Sequence, residues 1–276
     1  MHRTDSVALV TGASRGIGRA VAERLAAAGA LVAVHYGRNA DSAAQTVAAI
    51  EERGGRAFAV RAELGAADCA ETLFAAFAAG VRRHIDDVRL DVLVNNAAVV
   101  PSSGLEDITA ADFDRTFAVN ARAPLFLVQR ALSVLRDGGR IVTVSSLVTR
   151  TAPPEVGYVM SKGAVEAMTP SLARALGPRG ITVNCVAPGL TATDTFPALR
   201  DDPDGHPEVA AATALGRPGQ PEDIADVVAF LASHDGRWIT GQTIEVSGGL
   251  MLGPRPARGS ARPARDGGEG AGTPRP

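Results

Sequence analysis

The stretch "VALVTGASRGIGRAVAERL", residues 7–25, constrains the fold more than any other in the chain. A short apolar run, a glycine-rich turn and an amphipathic pattern with helical spacing follow one another without a break, which predicts strand, tight turn and helix. The alternation then repeats. "LVAVHYG", "RAFAVRAEL", "DVLVNNAA", "GRIVTVSS", "GITVNCVAPG" and "GQTIEVSGG" are further runs rich in β-branched residues, and helical patterns of ten or more residues separate most of them. Continuous rather than alternating apolar runs suit strands buried on both faces, as in a parallel sheet. The expected architecture is therefore α/β, a Rossmann-type doubly wound parallel sheet flanked by helices on both faces.

Gly12, Gly16 and Gly18 lie in the first turn. Glycine there lets the backbone approach a pyrophosphate, and the following helix N-terminus offers free N–H groups to that charge. The spacing is Gly-x-x-x-Gly-x-Gly, a variant of the general dinucleotide fingerprint. An NAD-binding chain carries an acid at the end of the second strand to hold the ribose 2′-hydroxyl. Here "AVHYGRNADS" has none before Asp41, while Arg38 follows the strand and Arg15 sits in the glycine turn. Two guanidinium groups suit a 2′-phosphate, so NADP(H) is expected over NAD(H).

"YVMSK" contains the only lysine of the chain; every other cation among the 28 Lys plus Arg is an arginine. Tyr158 and Lys162, four apart in a helical pattern, share a face. An ammonium beside a phenol favours the phenolate and is expected to lower the pKa of Tyr158, making it a usable general acid or base.

Taken together, "TGASRGIG", "NNAA", "VNARAPLF", "VSS", "YVMSK", "VNCVAPGLTATD", "GRPGQPEDIADVVAFLAS" and "ITGQTIEVSGG" resemble, in order, the motifs of the short-chain dehydrogenase/reductase family over about residues 5 to 250. The closest likeness is to 3-oxoacyl-(acyl carrier protein) reductases and related ketoreductases. The resemblance implies a seven-stranded sheet, a homotetramer or homodimer, and NADPH-dependent reduction of a ketone, a 3-oxoacyl thioester or a related carbonyl, to a secondary alcohol. It assigns Tyr158 as proton donor and Ser146 as hydrogen-bond donor to the carbonyl oxygen. Lys162 lowers the Tyr158 pKa and holds the nicotinamide ribose, and Asn120 anchors a water that links Lys162 to solvent. For the cofactor it implies Gly12, Ser14, Arg15, Gly16, Ile17 and Gly18 of the turn, Tyr36 and Arg38 after the second strand, and Glu63 and Leu64 after the third. Asn95 and Ala97 follow the fourth strand, and Pro188, Gly189, Thr191 and Thr193 approach the carboxamide and pyrophosphate; Tyr158 and Lys162 complete the set.

The chain departs from the family pattern at Glu63, commonly Asp, and at Ala98, commonly Gly. Ser145 stands at the usual separation of thirteen residues before Tyr158 and Ser146 at twelve; Ser146 is preferred because the second serine of such a strand end points into the site. Pro170 removes a backbone donor inside the catalytic helix and is expected to bend it.

A net charge of −2 argues against nucleic acid or an anionic membrane as partner. The five histidines lack ligand spacing and the two cysteines lie far apart, so no metal is expected. The apolar run near Met1 is too short for a signal peptide and none spans a membrane, which makes the cytoplasm the expected location. Residues 1–253 read as one domain with a substrate lid at about 190–216, and 254–276, rich in Gly, Pro and Arg, as a disordered tail. The partner expected is a small-molecule carbonyl compound, free or carrier-bound, with Arg122 and Arg130 available to a carrier. The alternatives are a sugar or polyol dehydrogenase of the same family and a non-catalytic NADPH-binding sensor.

Overall fold

The computed structural model describes residues 6–202, 206–250 and 252; the tail read from the sequence at 254–276 lies outside them. Seven strands form one parallel sheet in the order β3-β2-β1-β4-β5-β6-β7. They are β1 (Val7–Val10), β2 (Leu31–Tyr36), β3 (Arg56–Arg61), β4 (Leu90–Asn95), β5 (Leu135–Val144), β6 (Thr182–Pro188) and β7 (Thr243–Val246). The helices are α1 (Gly16–Ala27), α2 (Ala40–Glu52), α3 (Cys69–Val81), α4 (Ala110–Phe117), α5 (Ala123–Ala131), α6 (Val148–Thr151), α7 (Val156–Leu176), α8 (Pro197–Asp201), α9 (Pro207–Ala212) and α10 (Pro221–Ala232). A π-helical turn, Ala118–Arg122, joins α4 to α5.

The apolar runs have the burial that their composition requires. Every residue of β1, β4 and β6 is buried, whereas β3, at one edge, exposes Arg56, Ala59 and Arg61. Val7 and Leu9 face one core with Leu73, Phe77 and Leu127; Ala8 and Val10 face the other with Val21, Leu25 and Val228. Successive side chains of a strand point to opposite faces, so one four-residue run serves two hydrophobic layers.

Local sequence sets the helix starts. Asn39 caps α2 by accepting from the Ser42 N–H at 3.0 Å, and Thr109 caps α4 by accepting from Asp112 at 3.1 Å. Gln220 and Asp223 form a reciprocal capping box at α10, with Pro221 at its first turn. Helix α7 runs through Pro170, from Val156 to Leu176. No helix among the described residues is long and apolar enough to cross a membrane.

The core is packed against backbone at Gly80 on α3. A Cβ there would overlap the Phe58 ring, which is already stacked on His84 with centroids 5.4 Å apart and tilted against Phe77. Gly80→Ala is expected to destabilise the protein by about 1–3 kcal/mol, the usual cost of overpacking. Thermal or urea unfolding would show the loss against a Gly163→Ala control in α7, where a Cβ meets open space and helix propensity alone favours alanine.

Candidate active site

The order of the strands reverses direction between β1 and β4, and ligands of open α/β sheets bind at the carboxyl ends of strands at such a switch point. A cleft of about 620 Å³ opens there, walled by the segments that follow β1 to β6.

Its floor is a clasp between three strand ends. Thr11 Oγ1 accepts from the N–H groups of Asn96 (2.9 Å) and Ala97 (3.0 Å) and donates to the Val94 carbonyl. Asn96 Nδ2 donates to the carbonyls of Thr11 (2.9 Å) and Gly12 (3.1 Å). His35 Nδ1 accepts from the Gly12 N–H at 3.1 Å, which makes Nε2 the protonated nitrogen, and Nε2 donates to the Ala62 carbonyl at 3.1 Å. Burial lowers the His35 pKa to about 4, because a charged imidazolium has no solvent and could not accept from Gly12.

The glycines are used as the motif requires. Gly12 has φ +62°, and a Cβ on it would come within 2.9 Å of the Ala97 backbone. A Cβ on Gly18 would overlap the Gly12 carbonyl and the Asn96 amide. Helix α1 starts behind Arg15 without a side-chain cap, so the unpaired N–H groups of its first turn remain available to an anion.

Gly12, Ser14, Arg15, Gly16, Ile17, Gly18, Arg38, Glu63, Leu64, Ala97, Pro188, Gly189, Thr191 and Thr193 all line the cleft, together with Ser146, Tyr158 and Lys162. Arg15 and Arg38 are exposed cations of this wall. Arg15 Nη1 lies 3.4 Å from Asp194 and Arg38 Nε lies 3.5 Å from Glu63.

Three expected residues fall elsewhere. Tyr36 packs against the apolar layer behind the sheet, and its neighbour His35 is the one that lines the cleft. Asn95 is buried, with an amide group that finds no protein partner, while Asn96 faces the cleft. Asn120, on the π-helical turn, spends its amide on the chain itself. Its Oδ1 accepts from Val99 N–H at 2.8 Å, and its Nδ2 donates to the Val99 carbonyl (2.9 Å) and Ser161 Oγ (3.1 Å). That geometry fixes the segment after β4 beside α7.

Tyr158 and Lys162 project from α7 as the four-residue spacing predicts. Lys162 is 3% exposed; its Nζ donates to the Val144 carbonyl at 2.8 Å and lies 5.7 Å from the centre of the Tyr158 ring. Burial lowers the Lys162 pKa to about 8. The expected lowering of the Tyr158 pKa is not what this geometry gives. Burial raises it, and the opposing influence is a hydrogen bond with Ser146, not the ammonium, which is turned toward Val144. Both Ser145 and Ser146 line the cleft, and of the two only Ser146 bears on the phenol's pKa. Ser145 Oγ instead donates to Glu166 Oε1 at 2.7 Å.

Thr11, His35, Asn96 and Glu166 were not singled out by their sequence context. His35 sits inside a buried strand where a histidine looks like a core residue, and Glu166 lies one turn beyond Lys162 in an unremarkable polar position. Cys69 and Cys185 are buried free thiols.

Residues 12–251 match the family model described as enoyl-(acyl carrier protein) reductase. LugOII, a promiscuous reductase that catalyses keto-reduction at C1 during lugdunomycin biosynthesis, is 52% identical in sequence; the match covers 90% of this chain and 98% of that one, with a TM-score of 0.85. The landomycin C-6 ketoreductase LanV, solved with bound NADP and rabelomycin, is 52% identical over 90% of this chain and 97% of its own, with a TM-score of 0.82. Versicolorin reductase 1 of Aspergillus parasiticus is 39% identical over 263 residues, 91% of this chain and 98% of that protein. The chain belongs to the short-chain dehydrogenase/reductase family.

The His35 clasp carries a pH signature. The fold holds the imidazole neutral, with a pKa of about 4 in place of 6.5. Its contribution to stability is complete above about 6.5, declines as pH falls through that value, and is exhausted near 4, for a total on the order of 3 kcal/mol. His35→Asn should flatten that part of the stability profile in urea titrations between pH 7 and 4. An equal slope in the variant would show that other groups cause it.

Proposed function

We propose that the protein is an NADPH-dependent ketoreductase that converts a ring ketone of a fused-ring aromatic compound to the secondary alcohol. The observation that carries this reading is that Ser146, Tyr158 and the buried Lys162 share one wall of the cleft whose other end is the glycine turn.

The cleft fits the dinucleotide. Glycines stand where any Cβ would fill the cradle, the first turn of α1 offers N–H groups to a pyrophosphate, and Arg15 and Arg38 supply guanidinium groups for a 2′-phosphate. When bound, NADPH supplies the hydride. Everything else is done by the chain. Ser146 and Tyr158 hold the carbonyl oxygen between two donors, which favours charge as it develops there. Tyr158 then passes its proton to that oxygen. Its raised pKa keeps the proton in place at neutral pH, as reduction requires. Lys162, charged below about pH 8, offers donors to the nicotinamide ribose beside the phenol. Asn120 acts at one remove, by fixing Val99 and Ser161 beside this group.

For the substrate, Val99, Val100 and Phe196 add apolar wall to the cleft, a lining that suits a flat ring system better than a sugar. Relatives named for hydroxynaphthalene and angucycline reduction support the same class. The carrier-docking reading has less support. Arg122 donates to the Gly65 carbonyl at 2.8 Å, and Arg130 to Ser133 at 2.9 Å while lying over the Phe74 ring. The reading includes self-association as a homodimer or homotetramer, for which the exposed Leu125 and Phe126 of α5 and Trp238, 94% exposed, are the motivation.

NADPH consumption followed by absorbance on tetralone, an acetoacetyl thioester and an aldose tests the assignment. The account expects tetralone to be reduced with kcat/KM at least ~10-fold above the others, the margin that pocket complementarity provides. Preference for the thioester or the sugar would overturn the substrate class. Tyr158→Phe should lower kcat by about 10²–10⁴, the usual contribution of a positioned acid, while NADPH binding measured by fluorescence is preserved. Turnover at the wild-type rate would remove Tyr158 as the proton donor.

A further inference from the structure

Outside the four groups just described, the densest cluster of polar side chains near the reacting end of the cleft gathers on Glu166. Its Oε1 accepts from Ser145 Oγ at 2.7 Å and Thr149 Oγ1 at 3.1 Å, and Arg150 Nη1 lies 3.7 Å away. These partners come from two elements, the end of β5 and the short helix α6, and they bracket Ser146 on both sides in the chain. Ser145 Oγ also lies 3.5 Å from the Lys162 carbonyl, and Ser146 accepts Thr149 Oγ1 on its own carbonyl at 3.2 Å. The segment that Glu166 ties down needs such a tie. It ends in Ala152, the one non-glycine residue with positive φ (48°) among the described residues, a left-handed position that costs energy for a residue with a Cβ.

We propose that Glu166 is a positioning residue for ketone reduction: it clamps the turn that carries Ser146 against α7, and its carboxylate keeps the buried Lys162 ammonium charged. The proposal rests on the reading of Ser146 and Tyr158 as the carbonyl-binding pair. The electrostatic half follows from what surrounds Lys162. Tyr158 lies on its own helix, Cys185 faces it from β6, and Glu166 sits one turn on; Arg150 of α6 faces Glu166 from the solvent side. Glu166 is the only carboxylate of that set. Burial opposes the Lys162 charge, and Cys185 and Glu166 support it; burial raises the Cys185 pKa to about 11, so its thiol stays neutral over the range tested and the carboxylate is the group that acts there. The ammonium is present below the Lys162 pKa and lost above it, so removing the carboxylate must bring that loss to lower pH.

The test uses the full-length protein, NADPH and tetralone, with kcat measured from pH 6 to 9.5. Glu166→Gln keeps the shape and an acceptor oxygen but removes the charge. It should lower kcat by about 10-fold, the order that a small misplacement of reacting groups costs, leave KM for NADPH unchanged, and shift the alkaline limb of the kcat profile to lower pH. Glu166→Asp, which restores charge but shortens the reach, should return the limb toward its original pH while kcat stays low. Thr149→Val, removing one arm of the clamp, should lower kcat without moving the limb. An unmoved limb in Glu166→Gln overturns the proposal, whether or not kcat falls, because a purely structural role would lower activity without a titration shift. The parent reading fails separately. If Tyr158→Phe retains turnover, the carbonyl-binding pair is wrong; if Tyr158→Phe is inactive and Glu166→Gln is unchanged, only the inference about Glu166 is lost.

Discussion

A buried ammonium on a backbone carbonyl is the constraint from which the rest of the site follows. Removing a charge from water is costly unless hydrogen bonds and nearby countercharge compensate. Lys162 meets that requirement with the Val144 carbonyl at 2.8 Å and the Glu166 carboxylate one helical turn away. Val144 is the last residue of β5, so the position of the ammonium is fixed by the sheet itself. Helix α7, which carries Lys162, packs on β6, and Thr169 on the same helix meets the Cys185 sulfur of β6 at 3.0 Å. The charge is therefore held between two rigid elements, and Tyr158, one turn earlier, inherits their precision.

The other end of the cleft depends on a different device. Turning a chain sharply after β1 leaves backbone N–H and carbonyl groups that must find partners when buried. Thr11, Asn96 and His35 provide them, joining the ends of β1, β2 and β4 through side chains in addition to the backbone bonds of Thr11 to Val94 and Ala13 to His35. Loops at this position would otherwise be free to move apart, opening the cradle that Gly12 and Gly18 keep shallow. A dinucleotide cradle and a proton donor thus sit on one sheet but are stabilised independently, the first by neutral side-chain hydrogen bonds, the second by a compensated charge.

The architecture was legible because burial on both faces leaves a direct mark on sequence: continuous apolar runs at β1, β4 and β6, with helices between. Seven strands and the order of motifs emerged together. What sequence did not resolve was phase at the strand ends. Asn95 against Asn96 and Tyr36 against His35 are each a pair of neighbours pointing to opposite faces, and a one-residue choice decides which one lines the cleft, whereas Ser145 and Ser146 both line it. The direction of the Tyr158 pKa shift was missed for a related reason. Spacing of four in a helix places a cation near a phenol but says nothing about how much solvent the phenol loses, and here burial outweighs the neighbour. Glu166 escaped notice because its partners, Ser145, Thr149 and Arg150, lie 16 to 21 residues away and become adjacent only when α6 folds back on α7.

The chain places arginine at every cationic position but one, and the account holds that a guanidinium cannot do the work of the amine at 162. Turnover of Lys162→Arg on tetralone with NADPH tests this most directly, because arginine keeps the positive charge and changes only its shape and donor geometry. The account predicts that kcat falls by about 100-fold or more, the scale of a lost preorganised donor set. A variant that reduces the ketone at the wild-type rate would contradict it.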